Sequence, residues 1–386
     1  MSQIAVGAPQ STIISTDQSD IEARVAQAGQ LQLTWWRFRK HKLALAGGIV
    51  LIVFYTIAIF ADFLSINNPH ATASARSFIP PQAIHLFDES GFNPHVYGLS
   101  GKRDLRTFRI VYEPDPDRKI PVSLFAEGYS YHLFGLFETN RHLIGLAEPA
   151  AANSADGIYL LGTDQLGRDL LSRLAHATRI SLFIGLAGVA VSLVLGVVLG
   201  GISGLFGGII DNFIQRTIEI LHSIPTIPLW MGLAAALPPT WSTMQVYFAI
   251  TVIISLIGWT DLARVVRGRF MSLRGEDFVL AAELAGASRT RIIFRHLLPS
   301  FVSHLIASVT LALPAMIISE TALSFLGLGL RPPAISWGIL LQDVQNVQSL
   351  VLAPWLLSAA IPVIVVILAF NFFGDGLRDA ADPYGG

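Results

Sequence analysis

The feature that most constrains this chain is a series of apolar runs long enough to cross a lipid bilayer. Residues 43–61 are nineteen consecutive residues without a charge. As a helix rising 1.5 Å per residue, this run reaches across a hydrocarbon core of about 30 Å. Five further apolar runs occupy 180–206, 209–237, 246–266, 301–328 and 350–373. The sequence therefore predicts an all-α membrane protein with six transmembrane helices.

Composition supports the membrane class and excludes several functions. Hydrophobic residues make up 52% of the chain and charged residues 14%, whereas soluble proteins contain about a quarter charged residues. A net charge of −1 argues against a nucleic-acid partner, which requires a basic surface. The chain has no cysteine, so disulfides and thiolate metal sites are excluded. No histidines form an HExxH or other metal-spaced pair, and we expect no metal ion.

The distribution of basic residues predicts the topology. Four basic residues lie just before the first run, and the segment 267–300 carries six arginines against three acids. The segments 238–245 and 331–349 carry none and one. Basic residues in short loops stay on the cytoplasmic side, so we expect the 267–300 loop and both termini in the cytoplasm. Because the first run begins only near residue 43, we expect an uncleaved anchor rather than a signal peptide.

The chain is predicted to divide into five parts. A cytoplasmic tail, with a short helix at 22–30, is followed by the first transmembrane helix and an extracytoplasmic insertion. Alternating stretches at 107–114 and 119–126 predict short strands, so this insertion between helices 1 and 2 is expected to be β-rich. A five-helix core containing the 267–300 loop and a second cytoplasmic tail complete the chain. The predicted bounds are 1–42, 43–64, 65–179, 180–374 and 375–386.

The densest positive charge lies in FVLAAELAGASRTRIIFRHLLPS, residues 278–300. A helix starting at Asp277 places Phe278, Ala281, Ala282 and Ala285 on one face, with a glutamate opposite. Such a face fits a groove on a partner protein. An amphipathic helix at the lipid headgroups is the alternative.

The rest of this segment also carries structural signals. Gly286 allows the backbone to turn, and Ser288 is suited to cap a second helical segment. Pro299 is suited to the first turn of the following span.

Ionisable residues inside spans are costly and usually have a specific role. Arg216 and Glu219 lie three residues apart on one helix, which favours a structural ion pair, with the translocation path as the alternative. Glu320 has no basic neighbour at helical spacing, so we expect it in a translocation path or a subunit interface. Prolines at 225, 228 and 314 are expected to kink their helices.

Small residues recur every fourth position in the second span, at Gly188, Ser192, Gly196, Gly200 and Gly204. This ridge allows another helix to approach closely. It predicts static helix packing, or a contact that slides during gating. The stretch GISG, which contains Ser203, also fits the GxSG pattern of rhomboid intramembrane proteases, a remote alternative that needs a histidine base within reach.

The loop resembles a known motif. Ala281, Ala282, Gly286, Leu298 and Pro299 are spaced as in the EAA loop of ABC importer permeases. In that family the loop forms a coupling helix that docks on the ATPase subunit. Here Leu280 replaces the leading glutamate and His296 the isoleucine. The acids at 276, 277 and 283 remain alternative substitutes for the missing glutamate.

Segments 35–47, 161–185, 320–343 and 372–383 are similar to the dipeptide and oligopeptide permease subfamily of these importers, specifically to its second, C-type subunit. The resemblance implies a non-enzymatic permease that forms half of a pore for peptides in the bacterial inner membrane. It implies four kinds of partner: a homologous permease subunit, two ABC ATPases, an extracytoplasmic solute-binding protein and the bilayer lipids. ATP and Mg²⁺ would bind only to the ATPases.

A Walker A motif is missing from this chain. The nearest fragment, GLSGKRD at 98–104, lacks its glycine spacing and the hydroxyl residue after lysine. Three alternatives to a peptide importer stay open: an importer for a non-peptide solute such as an oligosaccharide or nickel, a stand-alone secondary transporter, and the rhomboid-like protease.

Overall fold

The computed structural model describes residues 30–89, 91–103, 105, 110–147 and 157–381. Most of these residues are helical, and six strands lie between the first and second long helices. The helices are α1 Gln30–Phe38, α2 Lys42–Ile59, α3 Ala61–Leu64, α4 Leu170–Phe206, α5 Gly208–Ser223, α6 Thr226–Ala235, α7 Thr243–Leu273, α8 Asp277–Leu284, α9 Arg289–Arg291, α10 Leu298–Ser300, α11 Val302–Phe325, α12 Trp337–Gln342, α13 Val347–Leu352 and α14 Ala360–Ala381. The strands are β1 His85–Asp88, β2 Gly91–Arg103, β3 Ile110–Leu124, β4 Glu127–Leu133, β5 Phe137–Arg141 and β6 Ile144–Leu146.

Within the described residues, five helical segments are long and apolar enough to cross a membrane. They are α2, α4, α7, α11 and the segment Pro354–Ala381, in which a 3₁₀ helix leads into α14. The run at 209–237 was predicted to form one helix. It forms two, α5 and α6, which meet at an angle of 87°. Helix α5 ends at Ser223, and the next residue, Ile224, adopts an extended conformation, as residues preceding proline tend to do. The described residues therefore contain five candidate membrane spans, or six if this bent pair is one span.

The other two prolines lie inside helices. Pro228 lies in α6, three residues after the bend. Pro314 is buried within α11, which continues on both sides of it.

Two helices extend past predicted domain boundaries. The second long helix begins at Leu170, ten residues before the predicted span, because Asp169 caps it by accepting a hydrogen bond from the Ser172 amide. The boundary at 179 thus lies inside α4. At the other end, α14 continues to Ala381, so residues 375–381 extend the last helix instead of starting a tail. The predicted tail residues 1–29 and 382–386 lie outside the described residues.

The segment between α3 and α4 contains two sheets. Four strands pair antiparallel in the order β1–β2–β3–β6, and β4 and β5 form a separate hairpin. The two strands predicted at 107–114 and 119–126 form one long strand, β3, since it pairs with β2 on both sides of a bulge at Tyr97 and Gly98. Residues 107–109 lie outside the described part of the chain. The hairpin lies against α3, through a hydrogen bond from the Leu143 amide to the Phe63 carbonyl.

The small-residue ridge of α4 lies against α7. A Cβ atom built on Gly196 would lie 2.7 Å from the Leu262 Cβ, and one built on Gly200 would lie 2.5 Å from the Ala263 carbonyl oxygen. Such separations are below van der Waals contact, so these positions accept only glycine without a shift of the backbone. Gly188, Ser192 and Gly204 are buried on the same helix. The two longest helices are thereby packed backbone to backbone.

Candidate functional site

The 267–300 loop contains the helix predicted from its sequence. Helix α8 begins at Asp277, as predicted, and ends at Leu284. It is held to the rest of the chain by Val279, which is fully buried among Phe270, Ile292 and Leu297. Ala282, one turn later, packs against the same cluster. The inner side of α8 is therefore fixed to the end of α7 by apolar contacts.

The turn after α8 follows the predicted pattern. Gly286 has a φ of +78°, a conformation that glycine adopts without strain. The Ser288 hydroxyl then accepts a hydrogen bond from the Arg291 amide and caps α9. These two residues reverse the chain within a few positions, so the second segment returns toward the membrane spans.

The second segment is an irregular helix. Its central turn, Ile292–Leu297, is a π-helix, in which one extra residue widens the backbone turn. Ile292 and Leu297 face inward while Phe294 is exposed. Pro299 lies in α10, and Leu298 packs against the buried cluster around Val279. Phe301 then separates α10 from the span α11. Pro299 was predicted in the first turn of the span, but it lies in the short helix α10, which precedes the span.

The outer side of α8 is apolar, and it is exposed in the part of the chain that the structure describes. Leu284 is 90% exposed, and Phe278 and Leu280 are 42% and 45% exposed. Ala281 and Ala285 lie on the same side. This face differs from the predicted one, because Ala282 turns inward and two leucines take its place. Because Val279 is buried, the side of α8 that contains Ala282 packs against this chain. The sequence alone does not show which side of so short a helix does so.

The charged residues around this apolar face are exposed. Glu276, Asp277 and Glu283 all reach solvent, so the structure does not single out one acid. Arg289 lies over the Phe206 ring at 4.8 Å from its centroid. This cation–π contact joins the loop to the end of α4.

The corner between α4 and α5 lies beside the same end of α7. The Arg267 guanidinium binds the Asp211 carboxylate through two hydrogen bonds of 2.6 Å. The Ser203 hydroxyl donates to the same carboxylate and accepts a hydrogen bond from the Gln215 amide. Ser203 is fully buried.

These contacts contradict the protease alternative. A serine nucleophile needs a basic partner and access to substrate, whereas Ser203 donates to a carboxylate and is enclosed. His222 instead lies 3.0 Å from the Thr260 hydroxyl. The GISG stretch is part of the packing between α4, α5 and α7.

The two ionisable features predicted within the spans have different surroundings. The guanidinium of Arg216 lies 2.6 Å from the Glu219 carboxylate, and both side chains are more than half exposed. They form the predicted ion pair. Glu320 was expected on a path or an interface, but it is fully buried within this chain.

Hydroxyl groups surround the Glu320 carboxylate. Ser181 on α4 donates to it at 3.1 Å, and Ser324, one turn along α11, donates at 2.8 Å. The Ser181 hydroxyl also accepts a hydrogen bond from the Trp337 amide at the start of α12. Glu320 therefore joins three elements of the fold, which is a correction to its predicted location.

Comparison with known proteins identifies the family. Residues 196–384 match the model for the binding-protein-dependent transport system inner membrane component, and residues 29–81 match the N-terminal TM domain of oligopeptide transport permease C. The oligopeptide transport system permease protein OppC of Haemophilus influenzae is 41% identical over 61% of this chain and 73% of its own length. The dipeptide transport system permease protein DppC of Lactococcus lactis is 34% identical over 96% of both chains. That of Bacillus subtilis is 28% identical over 97% of this chain and 93% of its own.

The first family match contains Gly196 and Gly200 of the α4–α7 contact, the 267–300 loop and Glu320, and the second contains the first span. The match with the Lactococcus protein also includes the segment between them. The chain belongs to the family of inner membrane components of binding-protein-dependent transport systems, as a multi-pass permease.

Proposed function

We propose that this chain forms half of the translocation pore of an ATP-driven peptide importer and is moved by ATPase subunits that bind the outer face of α8. The chain would pair with a homologous permease, two ABC ATPases and an extracytoplasmic binding protein. The 267–300 loop and both termini would lie in the cytoplasm, and the segment with the strands outside it. ATP and Mg²⁺ would bind to the ATPases, since this chain is a permease and not an enzyme.

The observation that carries this proposal is the two-sided character of α8. Its inner side is fixed to α7 by Val279 and the cluster around it. Its outer side exposes Leu284, Leu280 and Phe278. An apolar face that none of the described residues covers indicates a protein partner. Because the inner side is packed and not hinged, a force applied to the outer side is transmitted to α7.

The α4–α7 contact extends this path into the membrane. Gly196 and Gly200 bring the two backbones together, and Arg267 joins the end of α7 to α5. A displacement of α8 would therefore move α4, α5 and α7 as one unit. Rigid-body motion of packed helices is a common way to switch a membrane pore between two states.

Peptides are the proposed solute because the relatives are named as oligopeptide and dipeptide permeases. Non-peptide solutes such as oligosaccharides or nickel are separated from peptides by uptake assays with the matching binding protein. The strand-containing segment is proposed to contact that binding protein or to guide the solute toward the pore.

The test is the substitution Leu284→Asp, with Leu284→Met as the matched control. Leu284 is 90% exposed, so the aspartate is tolerated by the fold but places a charge in the proposed contact. We expect Leu284→Asp to lose ATPase co-purification and peptide uptake, and Leu284→Met to keep both. Normal ATPase binding and uptake by the aspartate variant would contradict the proposal.

Gly286→Asp and Ala282→Asp also place a charge at this loop, but each of them disturbs the fold as well. The first strains a backbone with positive φ, and the second disturbs the buried cluster around Val279.

A further inference from the structure

The β4–β5 hairpin exposes apolar side chains at its turn. Phe134, Leu136 and Phe137 are 54%, 75% and 65% exposed. Phe125, just before the hairpin, is also exposed. Scattered exposed apolar residues are normal, but a group of large ones in a single turn indicates a surface that is covered in the assembled state.

The hairpin and its flanking residues are fixed to the end of the first span by two ring contacts and one hydrogen bond. The Phe134 ring lies 5.6 Å from the Phe60 ring in an edge-to-face arrangement. At the other end of the hairpin, the Phe125 ring lies 6.1 Å from that of Phe63. The His142 ring, which follows β5, lies 3.0 Å from the Asp62 carbonyl oxygen. Because Phe60 lies between α2 and α3 and Phe63 lies in α3, the hairpin lies across the C-terminal end of the first span.

The depth of this helix end follows from its charges. Lys42 begins α2, and Asp62 is the next charged residue along the chain. Twenty residues at 1.5 Å each separate them by about 30 Å, the thickness of a hydrocarbon core. The two charges thus mark the two surfaces of the bilayer. Phe60, two residues before Asp62, lies at the boundary between hydrocarbon and headgroups, and Phe134 in contact with it lies at the same depth.

The neighbouring surface favours lipid as the covering partner. Along α2, the apolar side chains of Ile49, Ile52 and Val53 are at least half exposed. Of the long spans, α2 has the smallest buried share. The apolar turn therefore adjoins α2, the long span with the smallest share of buried residues. Phenylalanine and leucine are also typical of the apolar side of elements that lie in the membrane interface.

We propose that the β4–β5 turn, residues 134–137, inserts into the interfacial layer of the lipid bilayer and anchors the strand-containing segment to the membrane surface. The partner is the lipid of the leaflet at the C-terminal end of α2. Glu138 marks the upper limit of the inserted surface, because side chains alternate between faces along a strand and the Glu138 carboxylate points away from the face of Phe137. The anchor would fix the height of this segment above the bilayer.

The absence of native cysteine allows a direct test. Single cysteines are placed at Leu136 and Phe137, with Glu138→Cys and Lys102→Cys as exposed controls, and labelled with an environment-sensitive fluorophore. The full chain is reconstituted in nanodiscs of phosphatidylethanolamine and phosphatidylglycerol, with or without bromine on the acyl chains. The fluorescence of each label is then compared between the two lipids.

We expect brominated lipid to quench the labels at 136 and 137 at least about twofold more strongly than those at 138 and 102, as for side chains that enter the upper acyl region. Equal quenching at all four positions would overturn the proposal. The proposal would also be overturned if the labels at 136 and 137 became shielded from a water-soluble quencher only after a binding protein or second permease is added. The turn would then be a protein contact.

Discussion

Arg267 binds the carboxylate of Asp211 through two parallel N–H···O hydrogen bonds of 2.6 Å each, although the residues are separated by 56 positions in the chain. Both side chains are mostly buried, with 29% and 15% exposed. Asp211 lies in the first turn of α5 and Arg267 near the end of α7. The ion pair therefore connects the corner after α4 with the helix from which the 267–300 loop extends.

The first prediction concerns the stability of this pair. Asp211→Asn removes the charge that faces Arg267, and we expect it to destabilise the protein by about 1–3 kcal/mol, the range for a charged hydrogen bond lost from a partly buried site. Thermal unfolding in detergent, followed by tryptophan fluorescence, measures the change.

The control for this substitution lies on the same helix. Glu219→Gln breaks the exposed pair with Arg216 and should change stability by less than about 1 kcal/mol, as surface ion pairs do. Equal effects of the two substitutions would show that the pair of Asp211 and Arg267 contributes no more to stability than an exposed ion pair.

The second prediction concerns the glycine ridge. A methyl group at Gly200 would lie 2.5 Å from the Ala263 carbonyl oxygen, so Gly200→Ala forces α4 and α7 apart. We expect a clear loss of thermal stability, of the order of 1–3 kcal/mol for an overpacked contact. Uptake should fall with it.

Gly268→Ala is the matched control, because nothing lies within 4 Å of a Cβ at that exposed position of α7. Alanine is the better helix former, so this control should be neutral or gain up to about 1 kcal/mol. A stable Gly200→Ala protein with unchanged uptake would argue against tight α4–α7 packing.

Sequence reasoning succeeded where the signal is local. The lengths of five of the six apolar runs predicted long helices, and the recurrence of small residues at every fourth position predicted a ridge that lies against another helix. Gly286 and Ser288 gave the turn and the cap of the 267–300 loop, because their effects on the backbone involve only a few neighbouring residues.

Sequence reasoning failed where a contact joins distant parts of the chain. The partner of Asp211 lies 56 residues away, and no periodicity connects them. Similarly, Asp62 at the end of the first span receives hydrogen bonds from His176 and Arg179 in α4. Burial would raise the pKa of Asp62, but these two partners lower it to about 2. Glu320 was misplaced for the same reason, because the Ser181 hydroxyl that binds it lies 139 positions earlier.

The third prediction tests whether Glu320 stabilises the fold or takes part in transport. Gln keeps two side-chain atoms for hydrogen bonds to Ser181 and Ser324, whereas Ala leaves both hydroxyls without their buried acceptor. We expect Glu320→Gln to keep most uptake and Glu320→Ala to lose about 2 kcal/mol or more of stability. Uptake and thermal unfolding are measured on both variants. A Gln variant that is stable but inactive would place Glu320 in the transport step instead of the scaffold.

The fourth prediction is a pH dependence that arises from Asp169, the residue that caps α4. Burial raises the pKa of this carboxyl to about 6, although hydrogen bonds from the Ser172 hydroxyl and amide oppose the shift. In the unfolded chain an aspartate titrates near pH 4. Between about pH 4 and 6 the folded protein therefore holds a proton that the unfolded chain has released. The free energy of unfolding must fall as pH rises through this window, by up to about 3 kcal/mol for a shift of this size.

Asp169→Asn removes this titration while keeping an oxygen that can cap α4, since asparagine is as good an N-cap as aspartate. We expect the unfolding temperature of the wild-type protein to decrease between pH 4 and pH 7 relative to that of the Asn variant, with the two closest at pH 4. Thermal unfolding at half-unit pH steps measures the difference. Parallel curves for the two proteins over this range would mean that the Asp169 carboxylate stays ionised in the folded state, and that its burial at the start of α4 is compensated by hydrogen bonds to the charged form.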